Sequence, residues 1–348
     1  MNKRTHTILN DPELIENRDM WLDRLKNTFD GKYSGPFYLA GRTGHHCGSL
    51  AHPDQSDIFH NNPEQALEIG LEDLANQVES ARENTSKLFI PFTMEADWYS
   101  VHFVDKIFGA EVFYNREQRQ WYNHYLKNEI GTLCKPDLSC NETWIMAQNY
   151  AKAFMSFDVQ LPILGMPVLS SALNISINLY GPEFLIAMLE DPEAAAHDIA
   201  VINEVIMELH DWYIQNIPQN RLQPTVSPWR TQPCGFGQLC GCSTHLVSCD
   251  LYREMIMPHD DALLAKYPHG GMIHLCGNHK HLIPLFASMP HLRSVQLNDL
   301  AADHLEAYVN GLREDQVIYF SPTANMSYEE SLRISCGKRM VYIGEYPL

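Results

Sequence analysis

The chain has 348 residues, of which 45% are hydrophobic and 20% charged, a composition typical of a globular protein with ample material for a core. Its formal net charge of −18, from 43 acidic and 25 basic residues, argues against a nucleic-acid partner, because an acidic surface repels phosphate groups. No apolar run is long enough to span a bilayer, and the charged start is not followed by the apolar stretch of a signal peptide. We therefore expect a cytoplasmic protein without a membrane partner.

Cysteine usage agrees with that compartment. The count is odd and the chain is large, which argues against a secreted disulfide framework. We expect reduced thiols, some bound to a metal and most simply buried. The nine cysteines are Cys47, Cys134, Cys140, Cys234, Cys240, Cys242, Cys249, Cys276 and Cys336.

Helical periodicity and capping residues recur along the chain. Residues 31–63 interrupt this pattern with a long irregular segment rich in Gly, Pro, His and Asp, which is either a functional loop or a solvated wrap. Within it, His45, His46 and Cys47 are further ligand candidates. The helices are predicted at residues 10–30, 63–86, 100–108, 143–156, 169–190, 191–216, 250–266, 281–289 and 302–312, and after Ser327, where Glu330 completes a capping box.

Eight short apolar runs are typical of buried strands and nearly all are separated by helices. They lie near residues 89, 112, 161, 223, 272, 294, 317 and 340. Alternating strands and helices predict a parallel sheet, and eight units predict a closed TIM (β/α)8 barrel over residues 86–348. Residues 1–85 are predicted to form a helical and loop extension packed on this barrel.

The clearest chemical signal is the segment 270–278, which reads Gly-Gly-Met-Ile-His-Leu-Cys-Gly-Asn. As a strand it places His274 and Cys276 on the same face, two residues apart. An imidazole and a thiolate side by side form half of a zinc site. In a barrel of this type the loops after the strands carry the active site, so this strand end is predicted to bind zinc.

A catalytic zinc site has three protein ligands, and the third must come from another strand end. Cys336 lies late in the helix before the final strand and is expected near the opposite face. Glu345 follows the final strand and is predicted as the third ligand. Cys234, Cys240 and Cys242 are the alternatives, although Cys240 and Cys242 are closer in sequence than the usual Cys-x-x-Cys pair.

Acidic residues follow two other predicted strands. Glu95 and Asp97 alternate after the first strand, and Asp299 follows the sixth strand directly after Asn298. A carboxylate at these positions can act as a general acid, a general base or a substrate anchor. The three acids are therefore the predicted catalytic residues.

The chain resembles the uroporphyrinogen decarboxylase superfamily, diffusely over residues 85–345. The resemblance implies a TIM barrel, in agreement with the strand count. Three segments carry it: residues 161–165 continuing into Leu-Tyr-Gly-Pro-Glu at 179–183 and Leu-Glu-Asp-Pro-Glu at 189–193; residues 247–258, which resemble the family's Ser-Pro-x-x-Tyr/Phe helix; and His274-Leu275-Cys276-Gly277-Asn278.

One branch of that superfamily is the metal-free decarboxylases, which carry an Arg-rich motif ending Gln-Ala-Gly-Arg-Tyr. Residues 40–42 match only the middle of this motif, and Thr43 stands where the motif has Tyr. A tetrapyrrole with four propionates would need several arginines to bind it, and this segment has one. The other branch is the corrinoid-dependent methyltransferases, whose His-x-Cys motif matches His274 and Cys276. Their later zinc-binding cysteine has no counterpart here, and Glu345 stands near its place.

The methyltransferase branch implies zinc, a corrinoid as methyl carrier on a separate corrinoid protein, a thiol acceptor or methylated small molecule as substrate, and a homodimer. Arg42 and Asn278 are the predicted cofactor-binding residues. The sequence-based interpretation is thus a zinc-dependent methyltransferase that moves a methyl group between a corrinoid and a thiol. A metal-free decarboxylase and a non-catalytic protein that binds a corrinoid or a small ligand are the alternatives.

Overall fold

The computed structural model describes residues 1–32, 35–40, 62–96, 98–224 and 228–344. The helices are α1 (Lys3–Leu9), α2 (Pro12–Phe29), α3 (Pro63–Ala81), α4 (Phe103–Ile107), α5 (Glu142–Ser156), α6 (Ala172–Tyr180), α7 (Glu183–Glu190), α8 (Pro192–Asn216), α9 (Cys249–Leu251), α10 (Met257–Leu264), α11 (Ile283–Ser288), α12 (Leu300–Asp303), α13 (Leu305–Gly311) and α14 (Tyr328–Ser335). The strands are β1 (Phe37–Ala40), β2 (Thr93–Met94), β3 (Val112–Asn115), β4 (Gln120–Asn123), β5 (Ile163–Gly165), β6 (Leu222–Gln223), β7 (Gly237–Cys240), β8 (Gly271–Cys276), β9 (Leu292–Asn298), β10 (Val317–Phe320) and β11 (Met340–Gly344).

Two parallel sheets organise the chain. One has six strands in the order β1-β11-β10-β9-β8-β7, and the other has three in the order β2-β5-β6. Isolated parallel bridges join the edge strands of the large sheet to segments outside the small one: Leu39 of β1 pairs with Phe89, which precedes β2, and Cys240 of β7 pairs with Ser170, which follows β5. The prediction of an α/β fold built on a parallel sheet is confirmed.

Both faces of the large sheet are buried, as expected for parallel strands covered by helices. In β10, Val317 and Tyr319 point into a cluster that α2 covers with Trp21 and Phe29. The alternate residues Ile318 and Phe320 belong to the larger apolar cluster that contains most of the helices' buried residues. The two-residue period of the strands therefore divides the core between the two faces.

The strand predicted near residue 112 exists, but its place in the parallel sheet was wrong. It is β3, which pairs antiparallel with β4 in a separate two-stranded hairpin. The Asn115 carboxamide accepts hydrogen bonds from the backbone amides of Glu117 and Gln118 at 3.0 and 3.1 Å, and Arg119 has a left-handed φ of 53°. These contacts close a turn that reverses the chain, which is incompatible with a parallel crossover.

Two parallel strands lie where irregular structure was predicted. β1 lies inside the segment 31–63 and pairs with the last strand, Phe37 opposite Val341. β7 lies inside the predicted loop 227–249 and pairs with β8, Gly237 opposite Gly271. Both strands have only four residues, too few for a clear period.

The β7–β8 pair is unusually close at its start. Gly270 has a left-handed φ of 72°, and a Cβ atom on Gly271 would clash with the carbonyl oxygen of Gly237. A Cβ atom on Gly237 would in turn clash with the ring of Tyr267. Glycine at these positions lets the backbones of the two strands approach each other.

Helix caps follow the sequence closely. The Asp11 carboxylate accepts from the backbone amide of Glu13 at 3.0 Å at the start of α2. Ser327 caps α14 by accepting from the Glu330 amide at 3.1 Å, as predicted. The Glu330 carboxylate instead pairs with Arg333 at 2.5 Å, so the capping box forms only in half.

No single helix among the described residues is both long and apolar enough to cross a membrane. α6 and α7 together meet the length and composition, but their axes are bent by 113°.

Replacing the buried Asp260 with asparagine should change how stability depends on pH. Burial raises the pKa of the Asp260 carboxyl to about 7, although Tyr252 donates a hydrogen bond to it at 3.0 Å. A raised pKa in the folded state stabilises the fold fully below the unfolded-state pKa of about 3.9, and this contribution is lost as the pH rises through about 7. D260N lacks this contribution. Its free energy of unfolding should therefore increase relative to that of the wild type as the pH rises from 4 to 7.

Urea unfolding across that pH range measures this gain in the free energy of unfolding. The control is Glu117→Gln at an exposed position. Its free energy of unfolding should differ from that of the wild type by the same amount at every pH in this range. If the free energies of unfolding of D260N and the wild type differed by the same amount at every pH, the prediction would be wrong.

Candidate metal centre

The pairing of β7 with β8 brings three ligand-type side chains together. Cys240 is opposite His274 in the parallel register, and the Gly241 amide donates to the His274 carbonyl at 2.9 Å. The next residue, Cys242, begins a short 3-10 helix, Cys242–Leu246. Two residues beyond the Cys240–His274 pair, Cys242 therefore lies beside Cys276 at the same sheet edge.

The ligand atoms of Cys242, His274 and Cys276 all lie within 4.8 Å of one another. The Cys276 Sγ to His274 Nε2 distance is 3.2 Å. In a tetrahedral zinc site with bonds of 2.0–2.3 Å, ligand atoms lie about 3.5 Å apart. The spacing and the Cys-His-Cys donor set thus fit zinc, with a fourth position left for a further ligand.

Gln296 fixes the orientation of the His274 ring. Its Oε1 contacts His274 Nδ1, and its Nε2 donates to the Leu297 carbonyl at 3.2 Å. Because a carboxamide oxygen only accepts, this contact places the imidazole proton on Nδ1. Nε2, which faces Cys276, is then left as the metal-binding nitrogen.

The surroundings shift the pKa values of all three groups. Burial, and then the charge of Arg230, lower the pKa of His274 and keep it neutral. A hydrogen bond from Cys242, followed by contacts with His274 and Asn298, lowers the pKa of the Cys276 thiol. The same bond raises the pKa of Cys242. A neutral imidazole and a thiolate are the forms that bind metal.

A cavity of about 400 Å³ opens beside this cluster. His274 is part of its wall, so a metal on Nε2 would be close to the cavity. The described residues that line it are Trp229, Arg230, His274, Gln296, Asn298, Ser321, Pro322, Ile343 and Gly344. Most of them lie on or directly after β8 to β11, at the carboxyl ends of the strands.

The other predicted site residues lie outside the cluster or outside the described part of the chain. Glu95 is buried directly after β2. Asp299 is exposed at the start of α12, where its carboxylate accepts from the Asn298 amide at 3.2 Å. Asn278 is exposed and caps the backbone amide of Lys280 at 3.2 Å. Their proposed roles stay predictions.

Arg42, Asp97 and Glu345 lie outside the described residues, as do His45, His46 and Cys47. The prediction that Glu345 is the third ligand is therefore neither confirmed nor contradicted. Of the alternative cysteines, only Cys242 joins the cluster in the part of the chain that the structure describes.

Sequence reasoning missed the contributions of Gln296 and Arg230. Gln296 lies two residues before Asn298 on β9, so its position on the same face of the strand was a usable signal. Arg230 lies in a short 3-10 helix, Pro228–Arg230, and carries no local motif.

No protein-family model matches the chain, and no curated protein is significantly similar to it in sequence. Among solved structures, the chain is similar to a methyltransferase from Methanosarcina mazei. The TM-score is 0.60 and the identity 12%, over 93% of this chain and 92% of that one. At this identity the likeness shows a shared fold.

Proposed function

We propose that the protein is a zinc-dependent methyltransferase that moves a methyl group between a corrinoid and a small thiol. The Cys242–His274–Cys276 cluster beside the cavity carries this proposal. The fold shared with a methyltransferase from Methanosarcina mazei and the sequence resemblance to the corrinoid-dependent branch support it.

Zinc bound at the cluster supplies a positive charge that stabilises the thiolate form of a coordinated thiol. Cys242 Sγ, His274 Nε2 and Cys276 Sγ would hold the metal. Gln296 keeps the imidazole in the required tautomer. Asn298 donates to Cys276 Sγ at 3.7 Å and helps to orient that thiolate.

The cavity would hold the thiol, with its sulfur directed at the cluster. The corrinoid would supply the methyl group and leave with the electron pair of the broken bond to carbon, while the acceptor sulfur, its proton lost to solvent, would form the new bond to the methyl carbon. A cavity of about 400 Å³ suits a small acceptor. We propose that a separate corrinoid protein presents the corrinoid at the cavity mouth.

The same proposal includes closure of the two sheets into a TIM barrel. The bridges between Leu39 and Phe89 and between Ser170 and Cys240 support it, since they attach both edge strands of the large sheet to segments that directly precede β2 or follow β5. In such a barrel the cluster would lie on the functional face. A cytoplasmic homodimer remains part of the prediction.

Metal analysis and methyl transfer together test the function. We expect one zinc per chain, and zinc-dependent transfer of methyl from methylcobalamin to a thiol under anaerobic conditions, measured by the change in corrinoid absorbance. H274A and C276S should each lose the zinc and reduce transfer at least a hundredfold, because each removes a metal ligand.

Zinc-free protein, with the same metal content in H274A and C276S, would overturn the proposal. Consumption of uroporphyrinogen by the metal-free protein would favour the decarboxylase instead. The exposed Cys134→Ser serves as the control and should keep both the zinc and the transfer rate.

A further inference from the structure

Cys242 and Cys276 are close enough to react with each other. Their Sγ atoms lie within 4.8 Å of one another, and the Cys242 thiol donates a hydrogen bond to Cys276 Sγ. Cys276 ends β8, and Cys242 lies two residues beyond Cys240, which pairs with His274 from the neighbouring strand β7. Neighbouring strands are about 4.8 Å apart, and a disulfide needs a Cα separation of about 4.4–6.8 Å. The strand pairing is therefore compatible with a bond between the two sulfurs.

Glycines beside both cysteines give the backbone room to adjust as the sulfurs approach. Gly241 precedes Cys242, and Gly277 follows Cys276 with a left-handed φ of 84°. A residue without a Cβ atom changes its backbone angles at low cost. The two sulfurs can therefore close to the S–S distance of about 2.05 Å by side-chain rotation and a small backbone movement.

Small molecules can reach this pair from the cavity. Both cysteines are half-buried. Asn298 lines the cavity of about 400 Å³, and its carboxamide donates to Cys276 Sγ at 3.7 Å. The third cysteine of the region, Cys240, is buried, and its Sγ accepts from Arg230 Nη1 at 3.3 Å. A small oxidant in the cavity therefore meets Cys276 and Cys242 more readily than Cys240.

We propose that Cys242 and Cys276 form a redox-active thiol pair, which a peroxide oxidises to a disulfide. This pair would control the proposed function, on which its regulatory role rests, because the same two sulfurs would hold the zinc. The thiolate is the form of cysteine that binds metal, so after oxidation only His274 of the three ligands would remain. Oxidation would thus release the zinc and stop methyl transfer, and a dithiol reductant would restore both.

The oxidation proceeds in two steps and removes two electrons from the cysteines. The Cys276 sulfur, as a thiolate, attacks one oxygen of hydrogen peroxide, so that an S–O bond forms, the O–O bond breaks and hydroxide leaves. The Cys242 sulfur then attacks the resulting sulfenic acid. The S–S bond forms, the S–O bond breaks, and the oxygen leaves as water with the proton of the Cys242 thiol. Hydrogen peroxide is thereby reduced to hydroxide and water.

The full-length protein without metal tests the disulfide itself. One equivalent of hydrogen peroxide is added under anaerobic conditions, the remaining thiols are alkylated, and linked peptides are identified by mass spectrometry. The nine thiols of the chain should fall by two, with Cys242 linked to Cys276, and dithiothreitol should restore all nine. A disulfide from either residue to another cysteine, or the absence of any disulfide, would overturn the proposal.

Two variants separate this pair from the Cys240-Gly241-Cys242 motif. C240S removes the neighbouring thiol and should still link Cys242 to Cys276. C242S should lose one thiol instead of two, because Cys276 stops at the sulfenic acid, which dimedone traps. Circular dichroism establishes that each variant is folded. Loss of the disulfide in folded C240S, or loss of two thiols in folded C242S, would show that the assigned pair is wrong.

The zinc-loaded protein separates this inference from the proposed function. Peroxide should release zinc to a chromogenic chelator and lower the zinc affinity by more than about a thousandfold, since two of the three ligands are lost. Zinc that stays bound after the disulfide has formed would overturn the regulatory role. If the protein never binds zinc, the proposed function fails while the mapped disulfide still supports the thiol pair. If zinc binds and methyl transfer occurs but Cys242 and Cys276 do not link, the inference alone fails.

Discussion

Replacing Cys242 with serine should weaken zinc binding by roughly two to three orders of magnitude. Cys242 supplies one of the three ligand atoms that lie within 4.8 Å of one another. A structural zinc site with four ligands binds with about 10–16 kcal/mol, so each ligand contributes on the order of 3 kcal/mol. Zinc affinity is measured by competition with a chromogenic chelator.

Two variants sharpen this result. C234S removes a half-buried thiol outside the cluster and should leave the zinc affinity unchanged. E345Q tests the sequence-based alternative, in which Glu345 is the third ligand. Full zinc affinity in C242S together with its loss in E345Q would show that the assignment to Cys242 is wrong.

Replacing Gln296 with leucine should weaken zinc binding by about 10- to 100-fold, although Gln296 does not contact the metal position. Leucine leaves His274 Nδ1 without its acceptor, so the ring loses both its orientation and its tautomer. Gln296→Glu restores an acceptor and should recover most of the affinity.

Gln238 provides the matched control, because it is a buried glutamine on the neighbouring strand β7 and lies outside the cluster. Q238L should bind zinc as the wild type does. If Q296L and Q238L weakened zinc binding equally, a general disturbance of the sheet would explain the loss, and the role assigned to Gln296 would be wrong.

Two of the three residues of the candidate metal site could be predicted from sequence because they lie within one strand. The alternation in 272–276 places His274 and Cys276 on one face wherever the strand lies, and β8 forms over Gly271–Cys276. Cys242 was only an alternative because its position depends on β7. β7 has only four residues, and two of them, Gly237 and Gln238, are not apolar, so the sequence showed no strand pattern there.

The parallel α/β architecture was predictable from long elements, and the errors concern short ones. The run at 112 has the apolar residues of a strand, but only its pairing with residues 120–123 makes it a hairpin. The cavity and Arg230 were beyond prediction, since they depend on contacts between residues far apart in sequence. Such contacts leave no local periodicity.

The close approach of β7 and β8 at Gly237 and Gly271 has a consequence for engineering. These glycines lie at the opposite end of the strands from Cys242 and Cys276, yet a side chain at Gly271 would force the backbones apart. Grafting only the three ligands onto another α/β protein would therefore omit the glycines that allow these two strands to pair as they do here. A successful transplant would have to carry the whole strand pair, glycines included.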